Sequence, residues 1–312
     1  MSAETLTAAP TAPPSRDLTS KASVRLADFW ALTKPEVNLL ILITTFVGFD
    51  LGSRDAGRPF SFLALFNTLF GTLLVAGGTA TLNQYIERHF DAQMRRTARR
   101  PVASGRLEPN IVLAFGVLLS VAGTVYLAVV TSPLATLLAL LTLLSYLFLY
   151  TPLKRRTPLC VLVGAFPGAA PPLIGWAAVS GRLTAEAGVL YAIVFMWQFP
   201  HFMAIAWMYR EDYERAGYLV LPKTNRFFIV VVQTILPLLT LIPLSITQLS
   251  GKPSKVPYWS AIFYGVELLL ALGFICFGLT FVLHRSRGAA RRLLAASIMY
   301  LPLVLGAKLA LR

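Results

Sequence analysis

Apolar residues along this chain gather into nine long runs, at roughly 37–53, 62–86, 110–130, 134–150, 159–179, 185–207, 228–248, 258–283 and 293–311. Each is long enough to cross a bilayer, which takes about 20 mostly apolar residues per helix. In hydrocarbon the backbone has no water to satisfy its N–H and C=O groups, so each crossing has to be helical. The pattern predicts an all-α, polytopic membrane protein of about nine transmembrane helices, with residues 25–312 forming one domain. Residues 1–24, rich in Ala, Thr, Ser and Pro, predict a disordered tail and lack the apolar core of a signal peptide. Pro171-Pro172 and Pro200 fall inside runs and predict kinks in helices rather than their ends.

The polar positions between runs alternate in charge. Lys21, Arg25 and Lys34 precede the first run, and Arg88, Arg95, Arg96, Arg99, Arg100 and Arg106 follow the second. Lys154, Arg155 and Arg156 follow the fourth, then Arg210, Arg215, Lys223 and Arg226 the sixth, and Arg285, Arg287, Arg291 and Arg292 the eighth. The loops in between carry little, with Arg54, Arg58, Arg182, Lys252 and Lys255. Basic residues accumulate in cytoplasmic loops, so the N-terminus is expected inside and the C-terminus outside. A bacterial inner membrane is the favoured location, ahead of the mitochondrial one. A net charge of +14 would suggest nucleic acid in a soluble protein, but here it follows the topology, and no nucleic-acid partner is expected. With 56% hydrophobic and only 13% charged residues, the solvent of this chain is lipid. Cys160 and Cys276 lie inside apolar runs, at no spacing that suggests a metal or redox pair, and read as small apolar fillers.

The loops after runs two, four and six share one face, so their polar groups can converge. Asn83, Glu87 and Asp91 close the second run at i, i+4, i+8 and would stack on one helix face about 5–6 Å apart per step. Three oxygen-bearing side chains in a row can share a hard cation, and Mg²⁺ suits them because it keeps waters and accepts phosphate oxygens. The alternative is that Glu87 and Asp91 only pair with Arg88 and Arg95 on a solvated helix end. Against it, Asn83 extends the ladder into apolar sequence, where polar groups are costly.

A second acidic segment, Tyr209 to Gly217, offers Asp212 as a partner for Asp91. It follows Gln198 and His201 in the sixth run. Tyr150, Lys154 and Arg155 end the fourth run and provide a basic collar suited to phosphate oxygens. Metal and collar together suit an allylic diphosphate, whose C–O bond breaks once charge is drawn from the phosphate. The resulting cation needs a water-poor pocket lined with aromatic faces. Glu267 is an isolated acid within the eighth run and a functional candidate by position, with no partner visible in the sequence. His284 reads as interfacial, and His89 as a solvated neighbour of the ladder.

At these residues the chain resembles the UbiA-type intramembrane prenyltransferases. The resemblance runs from Leu32-Thr33-Lys34-Pro35 through Asn83 to Thr97, Arg100-Pro101, Tyr150-Thr151 and Leu153 to Thr157. It continues over Pro171-Pro172-Leu173-Ile174-Gly175-Trp176, Trp197-Gln198 with Pro200-His201-Phe202, Asp212-Tyr213 and Leu221-Pro222. The Pro-Pro-Leu-Ile-Gly-Trp and Trp-Gln-x-Pro-His-Phe pieces resemble the branch that acts on haem rather than quinone precursors. Glu36 stands where the family often has Arg, and Cys160 where Asn is usual.

The resemblance implies a nine-helix bundle around a central cavity. Asn83, Glu87, Asp91 and Asp212 would hold Mg²⁺, and Arg88, Arg96, Arg100, Lys154 and Arg155 would hold the diphosphate of farnesyl diphosphate. Tyr150 and His201 would line the cavity, although His201 can equally be a helix-packing residue bonded to a neighbour. The acceptor would be the 2-vinyl group of haem B, a substrate rather than a cofactor, converted with water to a hydroxyethylfarnesyl group. Haem A synthase or the terminal oxidase assembly line are the implied partners, besides membrane lipid. A transporter would instead carry polar residues through to both faces, and a haem chaperone would leave the acidic ladder without a use.

Overall fold

The computed structural model describes residues 26–221, 224, 226–246 and 260–310. The expected tail over 1–24, and Lys21, Arg25, Pro222, Lys223, Lys252 and Lys255, lie outside the described residues. Among the described residues all regular structure is helical. A short helix α1 (26–32) precedes α2 (Pro35–Asp55), α3 (Phe62–Asp91), α4 (Pro109–Val130) and α5 (Pro133–Leu144). A π-helical turn, Ser145–Tyr150, joins α5 to α6 (Thr151–Leu153). Then come α7 (Cys160–Ala169), α8 (Pro171–Ser180), α9 (Ala185–Met208), α10 (Arg210–Arg215), α11 (Arg226–Ile246), α12 (Ser260–His284) and α13 (Arg287–Ala310). Nine segments of the described residues are long and apolar enough to cross a membrane, with α5 to α6 and α7 to α8 each making one.

The starts and stops follow local chemistry. Ser61 caps α3 by accepting from the Ala64 N–H, and Ser132 caps α5 by accepting from the Ala135 N–H. Prolines open α2, α4, α5 and α8, where a missing N–H costs nothing. The Pro171-Pro172 pair does more than kink. Neither residue can donate to the helical ladder, so α7 stops at Ala169 and α8 restarts at Pro171, within one 21-residue span. Pro200 lies inside α9, which runs unbroken.

Helices approach closely where glycine removes the side chain, the usual basis of packing in lipid. A Cβ on Gly48 of α2 would stand 2.0 Å from the Pro172 carbonyl oxygen of α8, and one on Gly175 of α8 the same distance from the Thr45 oxygen of α2. This two-way stitch holds α2 against α8. Gly175→Ala should therefore push the helices apart, at a cost of about 1–3 kcal/mol typical of overpacking. A thermal midpoint in detergent equal to the parent's would contradict the stitch.

Glu267 is not isolated. Its carboxylate meets the Lys308 ammonium of α13 at 2.9 Å, with both side chains fully buried. The sequence hid this because the partner lies in the neighbouring helix rather than on the same face of α12. Cys160 is buried, as expected of a filler, whereas Cys276 is exposed on α12.

Candidate functional site

Helix α3 has 30 residues, about 45 Å at 1.5 Å per residue, which exceeds a hydrocarbon layer of about 30 Å. Its last turns carry Asn83, Glu87 and Asp91 to one end of the bundle. The N-terminal end of α2, the π turn with α6, and the segments after α9 meet it there. A cavity of about 220 Å³ opens between them. Asn83, Glu87 and Asp91 line it along one face of α3, and Lys34, Arg96, Arg100 and Lys154 line it from the surrounding elements. Tyr146, Tyr150, Phe202, Tyr213 and Tyr218 add aromatic walls.

Each rung of the ladder is engaged from across the cavity. Asn83 donates to the Thr151 hydroxyl at 3.2 Å and accepts from Lys34 Nζ at 3.4 Å. Glu87 accepts from Lys154 Nζ and from the Tyr218 hydroxyl, both at 2.8 Å and on Oε1. Asp91 accepts from Arg100 Nη1 at 2.7 Å through Oδ2. Its other oxygen, Oδ1, is buried without a hydrogen-bond partner. These pairs displace the solvated helix-end alternative. The ladder is buried, and the cations that pair with its carboxylates come from the residue just after α6 and from the loop after α3 rather than from Arg88 or Arg95.

Positive charge exceeds negative in this cavity, four cations facing two carboxylates. Lys34 registers the surplus. Burial first, and then the Arg100 and Lys154 charges, bring its ammonium down to about 7, only partly offset by Glu87 and Asp91. Burial also works against the Lys154 ammonium, but Glu87 outweighs it and holds that amine charged well above its ordinary range. Burial and then the Glu87 charge push the Tyr218 phenol up, so it stays a donor. Lys34 also carries backbone strain. Its φ of 52° is left-handed, an unusual conformation for a non-glycine residue, and it stands just before Pro35. Such strain gathers at functional positions, where the surroundings over-determine it.

The structure does not bring every expected residue to the cavity wall. Arg88 donates to the Tyr85 carbonyl at 2.7 Å and lies over that ring. Arg155 stacks on Phe90, 4.2 Å from its centroid. Asp212, on α10, accepts from the Arg96 backbone N–H and from Arg215, each at 3.3 Å, and so pegs the loop after α3 onto α10. His201 of α9 is half-buried and bonded to Ser297 of α13. Tyr150 and Lys154 do face the cavity, with the ammonium 4.5 Å from the Tyr150 ring centroid.

Among the charged and aromatic wall residues, Lys34, Phe202 and Tyr213 have no role in the sequence reading beyond the motifs that carry the resemblance, and Tyr146 and Tyr218 are not singled out there. Lys34 was legible as a topology signal and as part of the Leu32-Thr33-Lys34-Pro35 motif, and its place before a proline at the entry of an apolar run set it apart. Tyr146 and Tyr218 sit in no pattern that marks them.

No group of three His, Cys, Asp or Glu stands ready to hold a metal by itself among the described residues. The donor set nonetheless fits Mg²⁺ arriving with a phosphate. Two carboxylates and an amide oxygen are aligned, one carboxylate oxygen is buried and unused, and Mg²⁺ completes its shell with waters and phosphate oxygens.

A family model described as the UbiA prenyltransferase family matches residues 41–304. A protein of Solibacter usitatus named protoheme IX farnesyltransferase is 44% identical over 294 residues, covering 90% of this chain and 97% of its own. A UbiA homologue from Aeropyrum pernix K1 superposes with a TM-score of 0.63 at 17% identity, over 86% of this chain and 96% of that one. A UbiA homologue from Archaeoglobus fulgidus, solved with GPP and Mg²⁺, gives 0.57 at 16% identity over 90% and 99%.

Proposed function

The chain belongs to the UbiA prenyltransferase family and is a prenyltransferase enzyme, and from that premise we propose that it transfers the farnesyl group of farnesyl diphosphate to the 2-vinyl group of haem B. The observation that carries the diphosphate half is the cavity at the end of α3, where four cations surround a carboxylate ladder with one buried oxygen left over. The haem half rests on the relatives at 44% and 40% identity, both named protoheme IX farnesyltransferase.

Lys34, Arg96, Arg100 and Lys154 take the diphosphate oxygens, Arg through its planar fork and Lys as a point charge. Asn83, Glu87 and Asp91 are the residues that would hold Mg²⁺, which supplies Lewis-acid charge to the leaving group. Asp212 would join them through the lone pairs that its bonds to Arg215 and the Arg96 N–H leave over. Arg88 and Arg155 belong to the outer collar. The C–O bond breaks with its electron pair leaving on diphosphate. The terminal vinyl carbon then attacks farnesyl C1. Water captures the cation left on the inner vinyl carbon and loses a proton, giving the hydroxyethylfarnesyl side chain of haem O. The rings of Tyr146, Tyr150 and Phe202 face the allylic cation and keep water from it before the vinyl group arrives.

On this reading the cavity end of the bundle is the cytoplasmic face of a bacterial plasma membrane. The arginines in the loops after α3 and α9 support that orientation. The product would pass to haem A synthase or a terminal oxidase assembly. The test is incubation of membranes bearing the chain with farnesyl diphosphate and Mg²⁺, offering haem B or 4-hydroxybenzoate as acceptor. Haem O by mass spectrometry, lost on chelation of Mg²⁺, is the expected outcome. Prenylated 4-hydroxybenzoate without haem O would assign the chain to the quinone branch.

A further inference from the structure

His201 and Ser297 form a unit that the diphosphate chemistry leaves unused. Ser297 is fully buried on α13, and its hydroxyl donates its one proton to the Leu294 carbonyl at 2.6 Å. The contact of 2.8 Å between Ser297 Oγ and His201 Nδ1 must then run the other way, with the ring N–H donating. This fixes the tautomer. The neutral imidazole carries its proton on Nδ1 and presents a bare lone pair at Nε2, which has no partner among the described residues.

A histidine that serves only to fasten α9 to α13 explains little of this. Trp197 already does so, donating Nε1–H to the Ser297 carbonyl at 2.7 Å. Its indole also stacks on the His201 ring, 4.7 Å between centroids, and fixes the ring plane. Nε2 is not among the sealed polar atoms of the core, so it is open to a ligand, and an ionisable side chain within a membrane span is by default functional. A neutral imidazole whose Nδ1–H is spent on an oriented acceptor is the form in which histidine ligates metals. His201 is half-buried rather than sealed, beside Phe202 and one turn from Ile205, both on the cavity wall.

We propose that His201 Nε2 is an axial ligand of the iron of the haem acceptor, and that Ser297 is the positioning residue that holds the imidazole in its ligating tautomer. The inference rests on the haem reading above and deepens it by saying how the porphyrin is held. Iron ligation would fix the macrocycle at one point, deeper in the bundle than the diphosphate cations. The choice of which vinyl group meets the allylic carbon would then follow from rotation about that point.

The experiment uses the full chain in detergent, titrated with ferric haem B and, separately, with metal-free protoporphyrin IX. A nitrogen-ligated haem spectrum is expected for the parent. His201→Ala should weaken haem B binding by about 10–100-fold and leave protoporphyrin IX binding within about twofold, because only the iron is lost to it. Ser297→Ala should weaken haem B by about tenfold through loss of orientation. In His201→Gly, added imidazole should restore the nitrogen-ligated spectrum, which a merely misfolded variant cannot do. Equal weakening for both porphyrins, or an unchanged haem spectrum in His201→Ala, overturns the ligation while leaving haem as acceptor. A parent chain that binds neither porphyrin overturns the acceptor reading and the ligation together.

Discussion

Asn in place of Asp91 is expected to slow diphosphate release by about a thousandfold, mainly in kcat. The substitution keeps the shape of the side chain and removes one charge. Two properties of Asp91 set the size of the effect. It is buried in the cavity wall with Oδ1 unengaged, an oxygen available to a cation without breaking an existing bond. Its Oδ2 also orients Arg100 at 2.7 Å. An interaction made with charge that develops in the transition state is worth about 10²–10³ in rate for a single neutral donor, and a metal contact belongs at or above the top of that range. Lys34, Arg96 and Lys154 remain, so the donor still binds and KM moves far less. Release of inorganic diphosphate in single-turnover assays measures this directly. A variant working within about tenfold of the parent would take Asp91 out of the metal site.

Lys154→Met should be the most damaging change to stability. Lys154 is 8% exposed and its ammonium is bonded to Glu87, so its removal leaves a buried carboxylate with only the Tyr218 hydroxyl. Breaking a buried pair from one side costs about 3–5 kcal/mol, whereas replacing both partners by apolar groups is often neutral. The double variant Lys154→Met, Glu87→Leu should therefore recover most of the lost thermal stability and none of the prenyl transfer. Unfolding in detergent, paired with diphosphate release, separates the two readouts. A single variant as stable as the parent would show that water already reaches the pair.

The nine spans were legible because lipid imposes a run length that no loop imitates. The ladder was legible because a period of four survives on any helix. What the sequence withheld were relations across elements. Lys34 looked like one more cytoplasmic charge until α2 placed it against Asn83. Glu267 looked alone because Lys308 faces it from another helix. Asp212 reads as a metal ligand from its place in the sequence, where nothing marks the Arg96 backbone N–H that its carboxylate, alongside Arg215, accepts from in the fold. The double proline was read as a bend, and it breaks the hydrogen-bond ladder at Ala170 instead. In each case spacing along one helix was readable, and the partner supplied by the fold was not.

The π turn at Ser145–Tyr150 sets limits on how this chain can vary in length. Such a turn holds one residue more than the α-helix that would replace it. Deleting a single residue there would restore regular winding and leave the helix downstream in phase, whereas deleting one from the regular turns of α5 would turn everything downstream by about 100°. Thr151 and Lys154 would then swing out of phase with Asn83 and Glu87, though every side chain involved was still present. The same deletion in the connection between α2 and α3, over residues 56–61, would only shorten a link. Viable relatives should thus tolerate gaps between spans, and a single one within the π turn, yet keep an unbroken residue count through α5 from Pro133 to Leu144.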